Sequence, residues 1–138
     1  MTPTPTETID MFYRRLRAGD TDHLLSLLSE DVLLVIPGPT GVGAAGSWHG
    51  LSGARECFRR LAQAHATLSV QFLDRIVDRD RVVSRLHVIG AAATGKRFES
   101  DVVHMFTVVN GRITRLLDFF DTAALVEAYR PSVQGVSA

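Results

Sequence analysis

The first candidate for chemistry is a carboxylate, Asp118, near the end of a predicted strand. An Asn-Gly pair at residues 110–111, flanked by apolar runs, predicts a tight hairpin whose second strand covers residues 112–120. Because side chains alternate across a strand, Leu116, Asp118 and Phe120 are expected on one face. A carboxylate between two large apolar side chains is unfavourable unless it serves a site, so we expect the other elements to build a pocket around it.

Two further reactive side chains, Arg85 and His87, lie two positions apart on a predicted strand over residues 81–91. They therefore share one face of that strand with Ile89. If that face is the interior, the guanidinium would hold Asp118 ionised and the imidazole would exchange a proton near neutral pH. Such a group suffices for general acid–base chemistry without a cofactor. The alternative is a solvent-facing Arg-x-His pair in a structural ion pair, which a one-residue slip in strand register would produce.

Two helices are predicted ahead of the first strand. A capping box at residues 4–7, with Pro at the first helical position, begins the first helix. Gly19 ends that helix, and Asp20 caps a second helix whose leucines lie at residues 24–28. The β-branched run at residues 32–36, followed by a proline, predicts the first strand.

A glycine-rich segment at residues 37–50 predicts a mobile loop over a pocket. Its G-x-G-x-x-G match at residues 41–46 is not followed directly by a helix, so a dinucleotide site is not favoured. Trp48, within this loop, either caps the pocket or packs on the exterior. Ser52 is expected to cap a third helix that ends near His65.

The remainder of the chain predicts long strands joined by short turns, and then a helix. The strands cover residues 68–77, 81–91, 97–109 and 112–120. Asp121 is expected to cap a helix over residues 122–129, and residues 132–138 to form a frayed tail. Helices followed by an antiparallel meander predict an α+β fold in one domain, residues 1–138. We expect a cone-shaped barrel in which a strongly curved, mixed but mostly antiparallel sheet wraps around the N-terminal helices and encloses an apolar interior.

The composition argues against several classes of protein. The 138 residues carry 15 basic and 15 acidic side chains, so no electrostatic footprint for nucleic acid or a membrane surface stands out. The single cysteine, Cys57, fits a reducing compartment, and residues 1–10 lack the pattern of a signal peptide. The spacing of the five histidines indicates no metal site. We expect a cytoplasmic protein that uses neither a metal ion nor a cofactor.

The first half of the chain resembles the nuclear-transport-factor-like superfamily, which includes ketosteroid isomerase, SnoaL-like polyketide cyclases and limonene-1,2-epoxide hydrolase. The resemblance rests on an aromatic helix around Phe12, the Ala-Gly-Asp turn at residues 18–20 and the strand entry Ser-Glu-Asp-Val at residues 29–32. It extends over residues 9–129. The fold that it implies is the same cone.

The second half is most similar to limonene epoxide hydrolase. The matching segments carry that family's Arg-x-Asp strand, the turn after it and the strand of its second catalytic aspartate: residues 84–88, 94–96 and 111–121. In that family an Asp–Arg–Asp arrangement activates water and protonates an epoxide oxygen. The resemblance implies that Asp118 is the general base, that Arg85 bridges the acid and the base, and that His87 stands where the acid would be.

Four positions depart from the families that the chain resembles. The epoxide hydrolases hold their water with a Tyr and an Asn, and those positions fall here on Leu34 and Ile36. The three catalytic positions of ketosteroid isomerase fall on Phe12, Ile36 and Val103. These apolar residues cannot hold water or act as acid and base, so the resemblance argues against the steroid isomerase mechanism and disfavours hydrolysis.

Three functions remain open. A dry pocket favours a cofactor-independent acid–base enzyme that cyclises or isomerises a small, apolar, natural-product-like substrate, including cyclisation by epoxide opening. The alternatives are an epoxide hydrolase and a non-catalytic ligand-binding or interaction module. The side chains expected to line the substrate site are Phe12, Leu34, Ile36, Trp48, Phe58, Ile89, Val103, Met105, Leu116 and Phe120.

An apolar sheet face away from the pocket predicts a homodimer. The alternation of the last two strands places four side chains on that face: His104, Phe106, Leu117 and Phe119. An exposed apolar face of this kind usually binds a partner.

Overall fold

Four helices and six strands occur in the computed structural model, which describes residues 1–132. In chain order they are α1 (Pro5–Ala18), α2 (Thr21–Leu25), β1 (Leu28–Ile36), β2 (Gly46–His49), α3 (Gly50–Ala64), β3 (His65–Asp78), β4 (Arg81–Ala92), β5 (Arg97–Val109), β6 (Arg112–Phe120) and α4 (Thr122–Tyr129). None of the four helices in this part of the chain has the length and apolar character needed to span a bilayer. The predicted frayed tail lies, apart from Ser132, outside the described residues.

The six strands form one sheet in the order β2-β1-β6-β5-β4-β3. β1 and β6 run parallel, and every other neighbouring pair is antiparallel. The sheet is strongly curved but does not close, and helices α1 and α3 pack on its concave side. The predicted α+β class and cone-shaped architecture are therefore confirmed.

The concave side holds the hydrophobic core. The rings of Phe12 and Phe106 lie 5.3 Å apart, edge to face, and both side chains are almost fully buried. Phe58 of α3 packs its ring 6.3 Å from that of Phe12. Each such ring contributes on the order of 2–3 kcal/mol to folding by leaving water. Aromatic packing thus ties both helices to the strand that faces them.

The local signals for the helix ends and the last hairpin are confirmed. Thr4 and Glu7 form the predicted capping box, and the Asp121 carboxylate accepts from the backbone N–H of Ala124 at the start of α4. Asn110 and Gly111 have φ angles of 51° and 75°, the left-handed values that a tight hairpin turn requires. Short-range capping and turn chemistry therefore sets these boundaries.

Four predicted boundaries in the first half are wrong. The second helix ends at Leu25, and β1 begins at Leu28 rather than at residue 32. Residues 46–49, predicted as loop, form β2 against β1. Helix α3 begins after His49 without a side-chain cap, so Ser52 lies inside it. In each case pairing with β1 or β6 overrides the local preference.

Candidate functional site

A row of three polar side chains crosses the concave face of the sheet. Asp118 of β6 is in register with His104 of β5, and His104 is in register with Ser84 of β4. Their neighbours on the same face of each strand, Leu116, Phe106 and Leu86, are buried. Only 13% of the Asp118 side chain and 14% of the His104 side chain are exposed. The sheet therefore brings a carboxylate, an imidazole and a hydroxyl together inside an apolar cone.

The His104 ring connects Asp118 to helix α1. Its Nε2 lies 3.4 Å from Asp118 Oδ1, and its Nδ1 lies 2.7 Å from the phenolic oxygen of Tyr13. Burial raises the pKa of Tyr13 well above its usual value, so the phenol keeps its proton and is able to donate it to Nδ1. In the neutral imidazole the remaining proton is then on Nε2, which faces the carboxylate.

Two polar atoms of this row lack hydrogen-bond partners among the described residues. They are Asp118 Oδ1 and Ser84 Oγ, and both are buried. The 3.4 Å contact between His104 and Asp118 is close enough for charge attraction but does not form a hydrogen bond. Buried polar atoms are paired in the great majority of cases. Two unpaired atoms in one row mark the place where a polar group of a ligand would find partners.

The charge of Asp118 is felt by buried groups on three helices. It opposes ionisation of Tyr13 on α1, of Cys57 on α3 and of Tyr129 on α4. For Cys57 burial is the main cause, and together the two effects raise the pKa of the thiol to about 12. The thiol is therefore protonated at neutral pH and unsuited to nucleophilic chemistry. Asp118 and His104 are left as the proton-accepting groups in the middle of the cone.

The prediction that Arg85 and His87 point into the cone is wrong. Both lie on the outer, convex face. The buried side chains of β4 alternate with them along the strand: Val82, Ser84, Leu86 and Val88. Arg85 contacts the carboxylates of Asp74 at 3.3 Å and Asp101 at 3.7 Å. His87 lies 2.7 Å from Asp101 Oδ1 and 2.6 Å from Glu99 Oε2. We call these five residues the outer charged cluster.

Three of the predicted substrate-binding residues share that error. Ile89, Val103 and Met105 lie on the convex face, in register with other outer residues of β4, β5 and β6. The interior contains the remaining predicted aromatic and aliphatic side chains: Phe12, Leu34, Ile36, Phe58, Leu116 and Phe120. Their contact with a substrate stays a prediction.

Trp48 lies at the edge of the cone on β2, opposite Leu34 of β1. Its indole N–H donates to the carbonyl oxygen of Ala44 at 2.9 Å. The guanidinium of Arg60 lies 5.5 Å from the ring centroid. These contacts hold the indole beside α3, and a contact with the substrate stays a prediction.

The predicted dimer face is split between the two sides of the sheet. His104 and Phe106 point into the cone, where both rings pack against Tyr13. Leu117 and Phe119 point outward, in register with Met105 and Val103. The predicted alternation of β5 differs from the observed one by one residue, which exchanges its inner and outer side chains.

The site residues missed from the sequence are Tyr13, Ser84 and His104. The distribution of charge along β5 indicates which of its faces packs inward. The outer positions include Glu99 and Asp101, whereas the positions that alternate with them carry no charged side chain other than His104. A face without Asp, Glu, Lys or Arg is the face that packs inward. That criterion would have placed His104 opposite Asp118.

We predict that His87 stabilises the fold more at low pH than at high pH. The carboxylates of Asp101 and Glu99 raise the pKa of His87 above its usual 6.5. The stabilisation that protonated His87 gives the folded state is complete below the pKa of His87 in the unfolded chain, and it is lost as pH rises through the raised pKa of the folded state. The substitution His87→Gln should therefore lower the free energy of unfolding by more at about pH 5.5 than at about pH 8.5. Denaturant titration measures it, with the exposed His49→Gln as control; a pH-independent deficit would contradict the prediction.

Comparisons with known proteins extend over most of the chain. The family model of the SnoaL-like domain matches residues 9–116. An uncharacterized protein of Mycobacterium tuberculosis is 29% identical over 112 residues, which cover 80% of this chain and 84% of that protein. An NTF2-like protein from Burkholderia xenovorans superposes with a TM-score of 0.81 at 22% identity, over 94% of this chain and 98% of that chain. TerC, co-crystallized with polyporic acid, superposes with a TM-score of 0.79 at 28% identity, over 91% and 97% of the two chains.

Proposed function

Because the chain belongs to the SnoaL-like domain family, we propose that it is a cofactor-independent enzyme that transfers a proton on a small apolar substrate bound inside the cone. The observation that carries the proposal is the buried Asp118 carboxylate, one oxygen of which has no hydrogen-bond partner among the described residues. His104, Ser84 and Tyr13 lie beside it on the concave face, and its neighbours on β6 on that face, Leu116 and Phe120, are apolar. The complex of TerC with polyporic acid supports a small-molecule ligand in this fold.

In this proposal Asp118 is the general base. It accepts a proton from a carbon or a hydroxyl of the substrate, and His104 Nε2–H, beside the same carboxylate, donates to the oxygen on which negative charge develops. In an isomerisation Asp118 returns the proton to another carbon. In a cyclisation the deprotonated hydroxyl attacks within the same molecule, His104 Nε2–H donates a hydrogen bond to the leaving oxygen as its bond to carbon breaks, and the proton held by Asp118 is then returned to that oxygen. Tyr13 is a positioning residue that fixes the His104 tautomer.

The proposal favours an intramolecular reaction over hydrolysis. Leu34 and Ile36, at the interior end of β1, are buried and apolar, so they offer nothing to hold an attacking water.

The test is a panel of epoxides, hydroxy-epoxides and enolisable ketones incubated in water labelled with the heavy oxygen isotope. Unlabelled isomeric products support cyclisation or isomerisation, and labelled diols indicate an epoxide hydrolase. Saturable ligand binding without turnover of any compound would favour a non-catalytic binding module.

Tyr13→Phe is expected to lower kcat about tenfold with little change in KM. The loss of one hydrogen bond removes on the order of 1 kcal/mol from the free energy that holds the His104 ring in its catalytic orientation. The lost bond is the 2.7 Å contact with His104 Nδ1. ¹⁵N NMR of the His104 ring should show a proton on Nε2 in the wild type and a mixture of tautomers in the variant. An unchanged tautomer together with lower kcat would assign Tyr13 a different role.

The proposed assembly is a homodimer of single-domain chains in the cytoplasm. The convex face carries an outer apolar patch, formed by Val83, Val103, Met105, Leu117 and Phe119. The patch lies on three strands, β4, β5 and β6. Three strands about 4.8 Å apart and about ten residues long present roughly 480 Å², compared with the roughly 800 Å² per partner of a standard interface. The chain's single cysteine, which is buried, fits the reducing environment of the cytoplasm.

A further inference from the structure

His87 lies between two carboxylates on the convex face of the sheet. Its Nδ1 is 2.7 Å from Asp101 Oδ1, and its Nε2 is 2.6 Å from Glu99 Oε2. A neutral imidazole has a single N–H, so it can donate to only one of these carboxylates and turns a lone pair toward the other. The imidazolium donates to both. The arrangement therefore fits the charged ring, and the two carboxylates raise the pKa of His87 above its usual value.

The charge of the outer charged cluster depends on this proton. On β3, Gln71 lies opposite His87 and is neutral. On β4, Arg85 contacts the carboxylates of Asp74 and Asp101. With His87 protonated, two cations face three carboxylates and the net charge is −1. With His87 neutral the net charge is −2.

Glu99 is the carboxylate that deprotonation leaves without a cation. Asp101 keeps its contact with Arg85 at 3.7 Å, whereas the ion pair of Glu99 within residues 1–132 is the one with His87. Loss of the proton also turns a ring lone pair toward one of the two carboxylates, which repels it. A free carboxylate therefore appears at this place on the convex face as pH rises through the pKa of His87.

The cluster borders the outer apolar patch. Arg85 is in register with Val103 of the patch, and Asp101 is two positions from Val103 on the same face of β5. Arg81 and Arg115 lie on the same convex face at the opposite end of the patch. Neither guanidinium forms an ion pair within residues 1–132. The face thus carries free cations at one end and, at the other, carboxylates that His87 holds.

We propose that His87 controls the homodimer, because its proton decides whether Glu99 and Asp101 are held within their own chain or are free to pair with the basic end of a second copy. The inference rests on the homodimer of the proposed function and adds its regulation. A protonated His87 competes with the partner's guanidiniums for the same carboxylates. A neutral His87 leaves them to the partner, so the dimer tightens as pH rises.

Two other exposed histidines provide controls. His23 lies 2.7 Å from Asp20 at the start of α2, a helix that packs on α1 and α3. It is a matched histidine–carboxylate pair that is not on the convex face. His49 is on that face, opposite Leu33 and beside the basic end. Its protonation adds positive charge there, so it would tighten the dimer at low pH, the opposite direction.

The experiment measures the dissociation constant of the dimer of the whole protein by sedimentation at about pH 5.5 and about pH 8.5. We expect the constant to be about threefold to tenfold smaller at the higher pH, the contribution of one exposed ion pair in each copy. The difference should shrink in about 1 M salt. His87→Gln should show the tighter value at both pH values, and His87→Lys the weaker value at both. His23→Gln should behave like the wild type.

A dissociation constant that does not change with pH would retain the dimer and overturn the inference. A dimer that is tighter at the lower pH overturns it as well, because the released carboxylate would then repel the second copy. Persistence of the pH dependence in His87→Gln would assign it to another group and reject His87. A protein that is monomeric at both pH values rejects the dimer together with its control, and turnover by that monomer would retain the acid–base function.

Discussion

Replacing Asp118 with asparagine is expected to lower turnover about 10²- to 10⁴-fold, the usual contribution of a general base. Asparagine keeps the shape of the side chain but cannot accept a proton. The variant should unfold at the same temperature as the wild type or higher, because the buried, unpartnered Oδ1 no longer carries charge. Initial rates on the substrate found with the panel, together with a thermal melt, measure both effects.

Asp121→Asn is the matched control for that variant. Asp121 is three residues further along and caps α4 by accepting from the backbone N–H of Ala124. Asparagine caps a helix about as well as aspartate, so turnover and stability should stay close to those of the wild type. If Asp118→Asn remained within a few-fold of wild-type turnover, the base would have to be another group of the row.

Much of the fold follows from the sequence because its signals are local. A capping box, a glycine after the last turn of α1 and an Asn-Gly hairpin each act over a few residues. The resemblance to the nuclear-transport-factor-like superfamily, which predicted the cone, is confirmed by the SnoaL-like match. The elements that were missed depend on distant partners. Strand β2, over residues 46–49, exists because it pairs with β1, and nothing in its own four residues requires a strand.

The site could be predicted only in part, because it depends on strand register. The prediction places Asp118 on the correct face, since its neighbours on that face are apolar. On β4 the prediction follows the reactive pair Arg85 and His87, whereas the same criterion favours the face of Leu86. A slip of one residue on a strand exchanges its two faces completely. The error therefore places a whole set of side chains on the wrong face, and it puts His104 on the exterior.

Leu117→Asp is expected to convert the proposed dimer to a monomer. Leu117 lies within the outer apolar patch, in register with Met105. In a two-fold interface every substitution occurs twice. Each of the two copies of this central residue is expected to lose about 2 kcal/mol of binding free energy. The dissociation constant should therefore rise about 10³-fold. Light scattering or sedimentation at micromolar concentration measures the change. Leu68→Asp is the control, since Leu68 is an equally apolar side chain, 53% exposed, on the other face of the sheet.

The charges beside the patch predict how the two copies are arranged. Arg81 and Arg115 lie on the outer face at one end of the patch, and Asp101 and Glu99 lie at the other end. A two-fold axis that lies in the interface and runs across the strands sets each basic end opposite the partner's acidic end. Arg115→Asp should then weaken the dimer, and adding Asp101→Arg should restore it. If Arg115→Asp tightens the dimer instead, the axis runs along the strands and like ends meet.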